Sequence, residues 1–411
     1  MAPTHAHLRR WLLLLPPAPS PPTYAALKAA YGSCLFIVLR QLSRSPRRTQ
    51  EPIILDIALP CHHLYGRTNS PRNALYATTQ SLVAGLYKLI CVIAAKDSID
   101  TEDSEGVDAR VILLAYPRNG KLIRSSEDED SEQEFQGPVI SLHTLARCSR
   151  SWDAIYAVES EEGEELLKNF LSKGSSERNI TRVRGGIVQV SSLEHPSPTD
   201  NSSTLKNHLS VALGGTFDHL HIGHKLLLTM FAFVLGRRSP SDDDKIPSVL
   251  TIGITGDELL KNKKYPELLE TWHERQQAVH SFLSSLIHFG QPDDGRIHIE
   301  EKSDPGPNGH AVHVTYPSNL VIKYVEIWDP FGPTITDESI SALVISAETR
   351  SGGTAVNDKR VEKGWDPLEV FEVDVLDAGE EENMDKTFQS KLSSTEIRRK
   401  LGERPRSKGQ L

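Results

Sequence analysis

Cysteine is scarce in this chain of 411 residues: there are four, Cys34, Cys61, Cys91 and Cys148, all before Ser149 and none in a CxxC spacing. That excludes a disulfide scaffold and the usual cysteine zinc site, and it leads to the expectation of a reduced, intracellular, cytoplasmic protein. No uninterrupted apolar run reaches the roughly 20 residues that cross a bilayer, so no membrane partner is expected. Excess positive charge is also missing. Lys and Arg number 46 against 55 Asp and Glu, for a net charge of -9, which argues against nucleic acid as a general partner. Finally, no GxxxxGK[ST] phosphate loop occurs; Gly120-Lys121 is followed by Leu122 and lacks the earlier glycine. The first 50 residues contain no Asp or Glu but carry seven Lys or Arg, with the apolar patch Trp11 to Leu15 running into PPAPSPP. This stretch reads as a basic N-terminal extension (1–50), either loosely packed or a mitochondrial presequence.

What is present fits a globular chain of two or three domains, 38% hydrophobic and 25% charged. Residues 51–190 read as an α/β domain of unassigned role. Its strands are EPIILDIAL from Glu51, RVILLA from Arg110 and AIYAV from Ala154. A helical pattern from Asn73 to Ala95 turns strand-like at LICVIAA, and Glu161 to Leu171 reads as a closing helix. SSEDEDSEQE from Ser125 is a solvated charge run, and His62 and His63 have no evident partners. Residues 191–206 are rich in Ser, Pro and Asn and read as a linker.

The remaining residues, 207–411, carry the chemistry. Ser210 to Leu213 is a buried strand, Gly214 and Gly215 allow a tight turn, and Ile222 to Leu235 is an apolar helix stopped by Gly236. A glycine turn into a helix start favours an anion such as phosphate. His221 and His224 can face the same anion and stabilise charge building on it. His219, His221 and His224 could also be read as zinc ligands, but no fourth ligand lies nearby. Strands at Ser248 to Thr255, Arg296 to Glu300, Ala342 to Ser346 and Phe371 to Leu376, with a capped helix Thr271 to Ile287, predict a parallel Rossmann-like sheet. Three further clusters follow strands: Lys261, Lys263 and Lys264; Arg350, Gly352, Gly353, Asn357 and Arg360; and Ser393, Ser394 and Thr395 with Arg398 opening the last helix. Alone, each is ordinary surface charge, a flexible loop or capping. A parallel sheet brings such segments to one edge, where they suit a polyphosphate substrate.

GGTFDHLHIGH resembles the TFD…HxGH signature of the nucleotidyltransferase superfamily, and KLSSTEIR resembles its SSTxxR signature. With KNKKYPELL, WDPFGPTITD and LVISAETRSGGTAVNDKR, the finer resemblance, over about residues 208–402, is to the eukaryotic, fungal-type phosphopantetheine adenylyltransferase family. It implies transfer of AMP from ATP to 4′-phosphopantetheine, giving dephospho-CoA and pyrophosphate, on an enzyme without a dephospho-CoA kinase domain. It implies catalytic roles for His221, His224 and Lys263. Gly214, Gly215, Thr216, Phe217, Lys261, Arg350, Gly352, Gly353, Ser393, Ser394, Thr395 and Arg398 would bind substrates. Mg²⁺ would be held mainly by ATP phosphates with no metal ligand set on the protein, and Asp218 would fix the turn. Other enzymes of coenzyme A synthesis are expected partners of the N-terminal half. Alternatives are a nicotinamide mononucleotide adenylyltransferase, a cytidylyltransferase, or a scaffold of the coenzyme A pathway.

Overall fold

In the computed structural model, Arg10–Leu14 (β1) forms the centre of a six-stranded sheet. The structure describes residues 9–46, 52–67, 69–101, 106–122, 135–174, 179–189, 207–238, 246–291, 295–303, 308–376 and 392–403. The expected linker (191–206) and the charge run from Ser125 lie outside them. The first sheet has the order β4-β3-β2-β1-β5-β6, with β2 Ile53–Cys61, β3 Val107–Ala115, β4 Val139–Ser141, β5 Ala154–Glu159 and β6 Ile180–Arg184, every pairing parallel. Helix α1 (Tyr24–Ser43) is capped by the Thr23 hydroxyl and packs on α2 (Asn73–Lys96). Two short helices, α3 (Leu142–Arg147) and α4 (Glu161–Lys173), complete this domain.

Residues from Arg10 onward are not an extension: Leu12, Leu13 and Leu15 are fully buried, and β1 hydrogen-bonds to both β2 and β5. An acid-free stretch looked like a tail because a central parallel strand and an apolar helix need no acidic face. LICVIAA is not a strand but the last turns of α2, whose 24 residues contain no proline and run unbroken through Gly85. By length and composition both α1 and α2 could cross a membrane, although polar residues interrupt the apolar run of each. All four cysteines are buried, and none forms a disulfide.

The second sheet has the order β13-β12-β7-β8-β11-β10-β9. Its strands are β7 Ser210–Gly215, β8 Ser248–Thr255, β9 His298–Lys302, β10 Ala311–Tyr316, β11 Leu320–Ile327, β12 Ala342–Ser346 and β13 Glu369–Val373. Five run parallel; β10 and β9 add an antiparallel edge. The β10 and β11 hairpin was not anticipated from the sequence, although AVHVTY and LVIKYVEI flank the turn residues Pro317 to Asn319. The helices are α5 (Ile222–Val234), α6 (Trp272–Ile287), α7 (Arg350–Glu362) and α8 (Ser394–Glu403). The Thr271 and Glu274 capping box expected at the start of α6 is present.

The halves are not beads on a string. One buried apolar cluster runs from β1 and α2 of the first domain through α5 into β8 and β11 of the second. Polar ties reinforce it: Tyr76 donates to the Glu372 carbonyl at 3.0 Å, and Ser149 to the Gly290 carbonyl at 2.6 Å. Chain order reverses between β7 and β12, the switch point where open α/β sheets leave a crevice. In the first sheet the equivalent point, between β1 and β5, is covered by the segment after β6: Ser20 donates to the Gln189 carbonyl and Ile187 to that of Ala29.

Candidate active site

The crevice opens because β12 stops pairing early. Its register with β7 ends at Val344 opposite Leu213, whereas β7 stays paired with β8 as far as Gly215 opposite Ile254. Gly214 therefore lies exposed beside the gap, and a Cβ there would meet nothing within 4 Å. Gly215 is needed for another reason: a Cβ would lie 2.9 Å from the Phe217 ring. Neither glycine makes the turn itself. The positive φ angles fall on Phe217 (56°) and His219 (47°), an uncommon conformation for non-glycine residues that surrounding contacts must hold in place.

Those contacts come from Asp218, which is 0% exposed. Its Oδ1 accepts from the Glu270 N–H at 3.0 Å, and Oδ2 is ion-paired to Arg398 of α8. Glu270 in turn accepts from the His219 N–H at 2.7 Å. Arg398, 2% exposed, also donates to the Lys264 carbonyl at 3.0 Å and to the Thr395 hydroxyl at 3.3 Å. One guanidinium thus ties the turn after β7, the lysine loop after β8 and the start of α8. Arg398 was expected on the β- and γ-phosphates; here its guanidinium is occupied within the protein because buried Asp218 needs its charge. Phe217 was expected to touch substrate, but it is 0% exposed and backs His224, ring centroids 5.5 Å apart.

His221 caps α5: its Nδ1 accepts from the His224 N–H at 3.4 Å, which leaves the ring proton of the neutral form on Nε2. The two imidazoles stack, centroids 3.8 Å apart and 18° between planes. The residue between them must be small, since a Cβ on Gly223 would lie 3.2 Å from the His221 ring. The N–H groups of Ile222 and Gly223 head the helix, at its positive dipole end. His219 points elsewhere, its Nε2 donating to the Leu268 carbonyl at 2.9 Å, so the three histidines do not converge as the zinc reading required.

Burial holds His221 well below its ordinary 6.5, helped by the nearby His224, Lys225 and His219 charges. Burial, with His219, lowers His224 to about 4. Both rings are therefore neutral at pH 7. The unfolded chain binds protons as pH falls through 6.5, whereas folded His224 stays neutral until about 4. Stability from these rings is complete above pH 6.5 and is lost as pH falls toward 4. Thermal unfolding should show a midpoint that drops between pH 7.5 and 5, with His224 contributing at most about 3 kcal/mol. His224→Gln should flatten that slope; an unchanged slope would contradict the assignment.

The other expected residues divide. Thr216 is partly exposed in the turn after β7, and its carbonyl accepts from Arg275 at 2.7 Å. Lys261 is exposed and pairs with Glu258; the exposed Lys263 and Lys264 side chains have no partner among the described residues. Ser393, Ser394 and Thr395 are partly exposed at the start of α8. Arg350 and Gly352 are exposed where α7 begins, with Arg350 paired to Glu372. Gly353 is buried against Ile345. The supposed loop carrying Asn357 and Arg360 is helix: Asn357 brackets Leu368, and Arg360 donates to the carbonyls of Thr334, Ile340 and Asp366. Both are structural. The sequence reading missed Arg275, 0% exposed, which donates to the carbonyls of Thr216, Thr255 and Glu270 and to Asp257. An arginine on the same helical face as Trp272, Val279 and Phe282 was the available signal.

Comparison with known proteins adds independent findings. Residues 1–189 match a domain of unknown function (DUF8446), and residues 212–400 match a family described as cytidylyltransferase-like. A phosphopantetheine adenylyltransferase of Saccharomyces cerevisiae is 38% identical over 224 residues, 53% of this chain and 58% of that protein. One of Pyrobaculum aerophilum is 32% identical over 200 residues, 48% of this chain and 95% of that protein. An uncharacterized protein of Schizosaccharomyces pombe is 33% identical over 260 residues, 62% of this chain and 67% of that protein.

Proposed function

The chain belongs to the phosphopantetheine adenylyltransferase family of cytidylyltransferase-like nucleotidyltransferases, and from that premise we propose that it transfers AMP from ATP to 4′-phosphopantetheine. The observation that carries the reading is the parting of β7 from β12 beside two stacked, neutral histidines at a helix start.

An oxygen of the acceptor phosphate attacks the α-phosphorus of ATP. The bond from that phosphorus to the α–β bridging oxygen breaks, and pyrophosphate leaves with the electron pair. The attacking oxygen is already anionic at neutral pH, so no base must remove a proton. Two neutral imidazoles suit this chemistry, because each offers an N–H to growing phosphate charge without being needed as a proton acceptor. What remains for the protein is to hold two repelling anions in line. Thr216 and Lys263 receive the acceptor phosphate. His221, His224 and the first N–H groups of α5 hold the ATP phosphates at the reacting bond, with His224 next to the developing charge. The start of α8 with Ser393, Ser394 and Thr395 takes the β- and γ-phosphates, and the start of α7 lies on the nucleotide side. ATP enters as its Mg²⁺ complex, a substrate. Asp218 is unsuited to ligate that ion because both its oxygens are already engaged.

Pyrophosphate release should be measured with ATP and each candidate acceptor. We expect turnover with 4′-phosphopantetheine and none with nicotinamide mononucleotide; the reverse pattern would overturn the proposal.

A further inference from the structure

Lys225 follows His224 directly, yet the phosphate-binding turn does not use it. It is 3% exposed, and its Nζ lies 2.8 Å from Oδ1 of Asp108, on β3 of the first domain. Asp108 Oδ2 accepts from Arg110 Nε at 2.9 Å and Nη2 at 2.6 Å, and Arg110 Nη1 donates to the Ser281 carbonyl of α6 at 3.1 Å. Burial alone would raise the Asp108 carboxyl, but the Arg110 and Lys225 charges hold it well below the usual carboxylate range. One turn along α5, Thr229 donates to the Lys225 carbonyl at 2.7 Å and shares a hydrogen bond with Tyr87 of α2. The first domain therefore grips α5 by a charged cluster at the residue next to a catalytic histidine.

We propose that Asp108 is a positioning residue for the transferase: by anchoring Lys225 it fixes the first turn of α5, and with it the stacked pair His221 and His224. The mechanical link is short. Lys225 closes the first turn through its N–H to the His221 carbonyl at 3.0 Å. A lysine left buried without its counter-charge is driven toward water, and its backbone cannot shift without carrying His224 along. On this view the first domain is part of the catalytic machinery, and its sheet edge is the mount on which the histidine helix is set.

The inference rests on the adenylyltransferase reading, so full-length wild type is assayed first; absence of adenylyl transfer to 4′-phosphopantetheine there counts against that reading alone. The variants are Asp108→Asn and the pair Asp108→Asn with Lys225→Met, each checked for folding by thermal melting. Readouts are kcat, KM for ATP and the histidine ring resonances in NMR, the last needing no activity. Asp108→Asn should lower kcat by about 10- to 100-fold with a much smaller change in KM, and should shift the His221 and His224 resonances. Removing the lysine as well should restore part of kcat, because the unpaired ammonium next to His224 is gone while the buried Arg110 guanidinium still lacks its carboxylate. A folded Asp108→Asn protein with wild-type kcat and ring resonances overturns the proposal. So does a kcat loss that only tracks the unfolded fraction, or a double variant no better than the single one.

Discussion

Replacing His224 with alanine is expected to lower kcat by about a hundredfold to a thousandfold with the fold intact. The ring is held on both faces at the start of α5. Phe217 backs it, His221 stacks on it, and its Nδ1 is buried without a hydrogen-bond partner among the described residues. Those contacts fix the imidazole before any ligand arrives, and a fixed donor is worth more than a mobile one because no reorganisation is needed as charge develops. The enclosure that makes it effective also keeps it neutral, with its proton loss near pH 4. The stability cost should be smaller than the catalytic one, since α5 stays anchored by its other buried residues, among them Leu226, Met230 and Phe233. Single-turnover rates and melting midpoints separate the two effects; near-normal turnover in a folded protein would remove His224 from the mechanism.

Arg398→Met should act on stability first, at about 3–5 kcal/mol, because it leaves the Asp218 carboxylate buried and unpaired. The damage should not stay local. Arg398 is also the contact from α8 to the Lys264 carbonyl, so the lysine loop and the start of α8 lose their common anchor. KM values for both substrates should therefore rise even where the protein remains folded. Arg398→Lys should recover only part of this, since an ammonium cannot reproduce the planar fork that reaches Asp218, Lys264 and Thr395 together. Denaturant midpoints and initial rates decide the matter: an Arg398→Lys protein with wild-type stability and KM would show that the tie is incidental.

Much of the second domain was legible in the chain. The strand, turn and helix around Gly214 to Lys225 follow from a short apolar run, two glycines and a long apolar helix, and the α6 cap follows from Thr271 and Glu274 at the proper spacing. The first domain was read less well. Its central strand, Arg10–Leu14, is only five residues followed by prolines, and a stretch that short reads equally well as part of a tail. The end of α2 misled for a related reason: β-branched residues such as Val92 and Ile93 favour strands in isolation, and packing against neighbours overrides that preference.

By itself the sequence determined which groups could meet an anion: the histidine pair, the lysines, and the hydroxyls before Arg398, each a local pattern of residue type and spacing. Only the tertiary structure decided which of them stay available. Burial sets that division, because a charge removed from water must be paired. Arg398 is committed to Asp218, Arg360 to backbone carbonyls and Lys225 to Asp108, whereas the Lys263 side chain remains exposed. Which partner comes within reach depends on strand order and on the packing of two domains around α5, and neither is written in any one stretch of the chain.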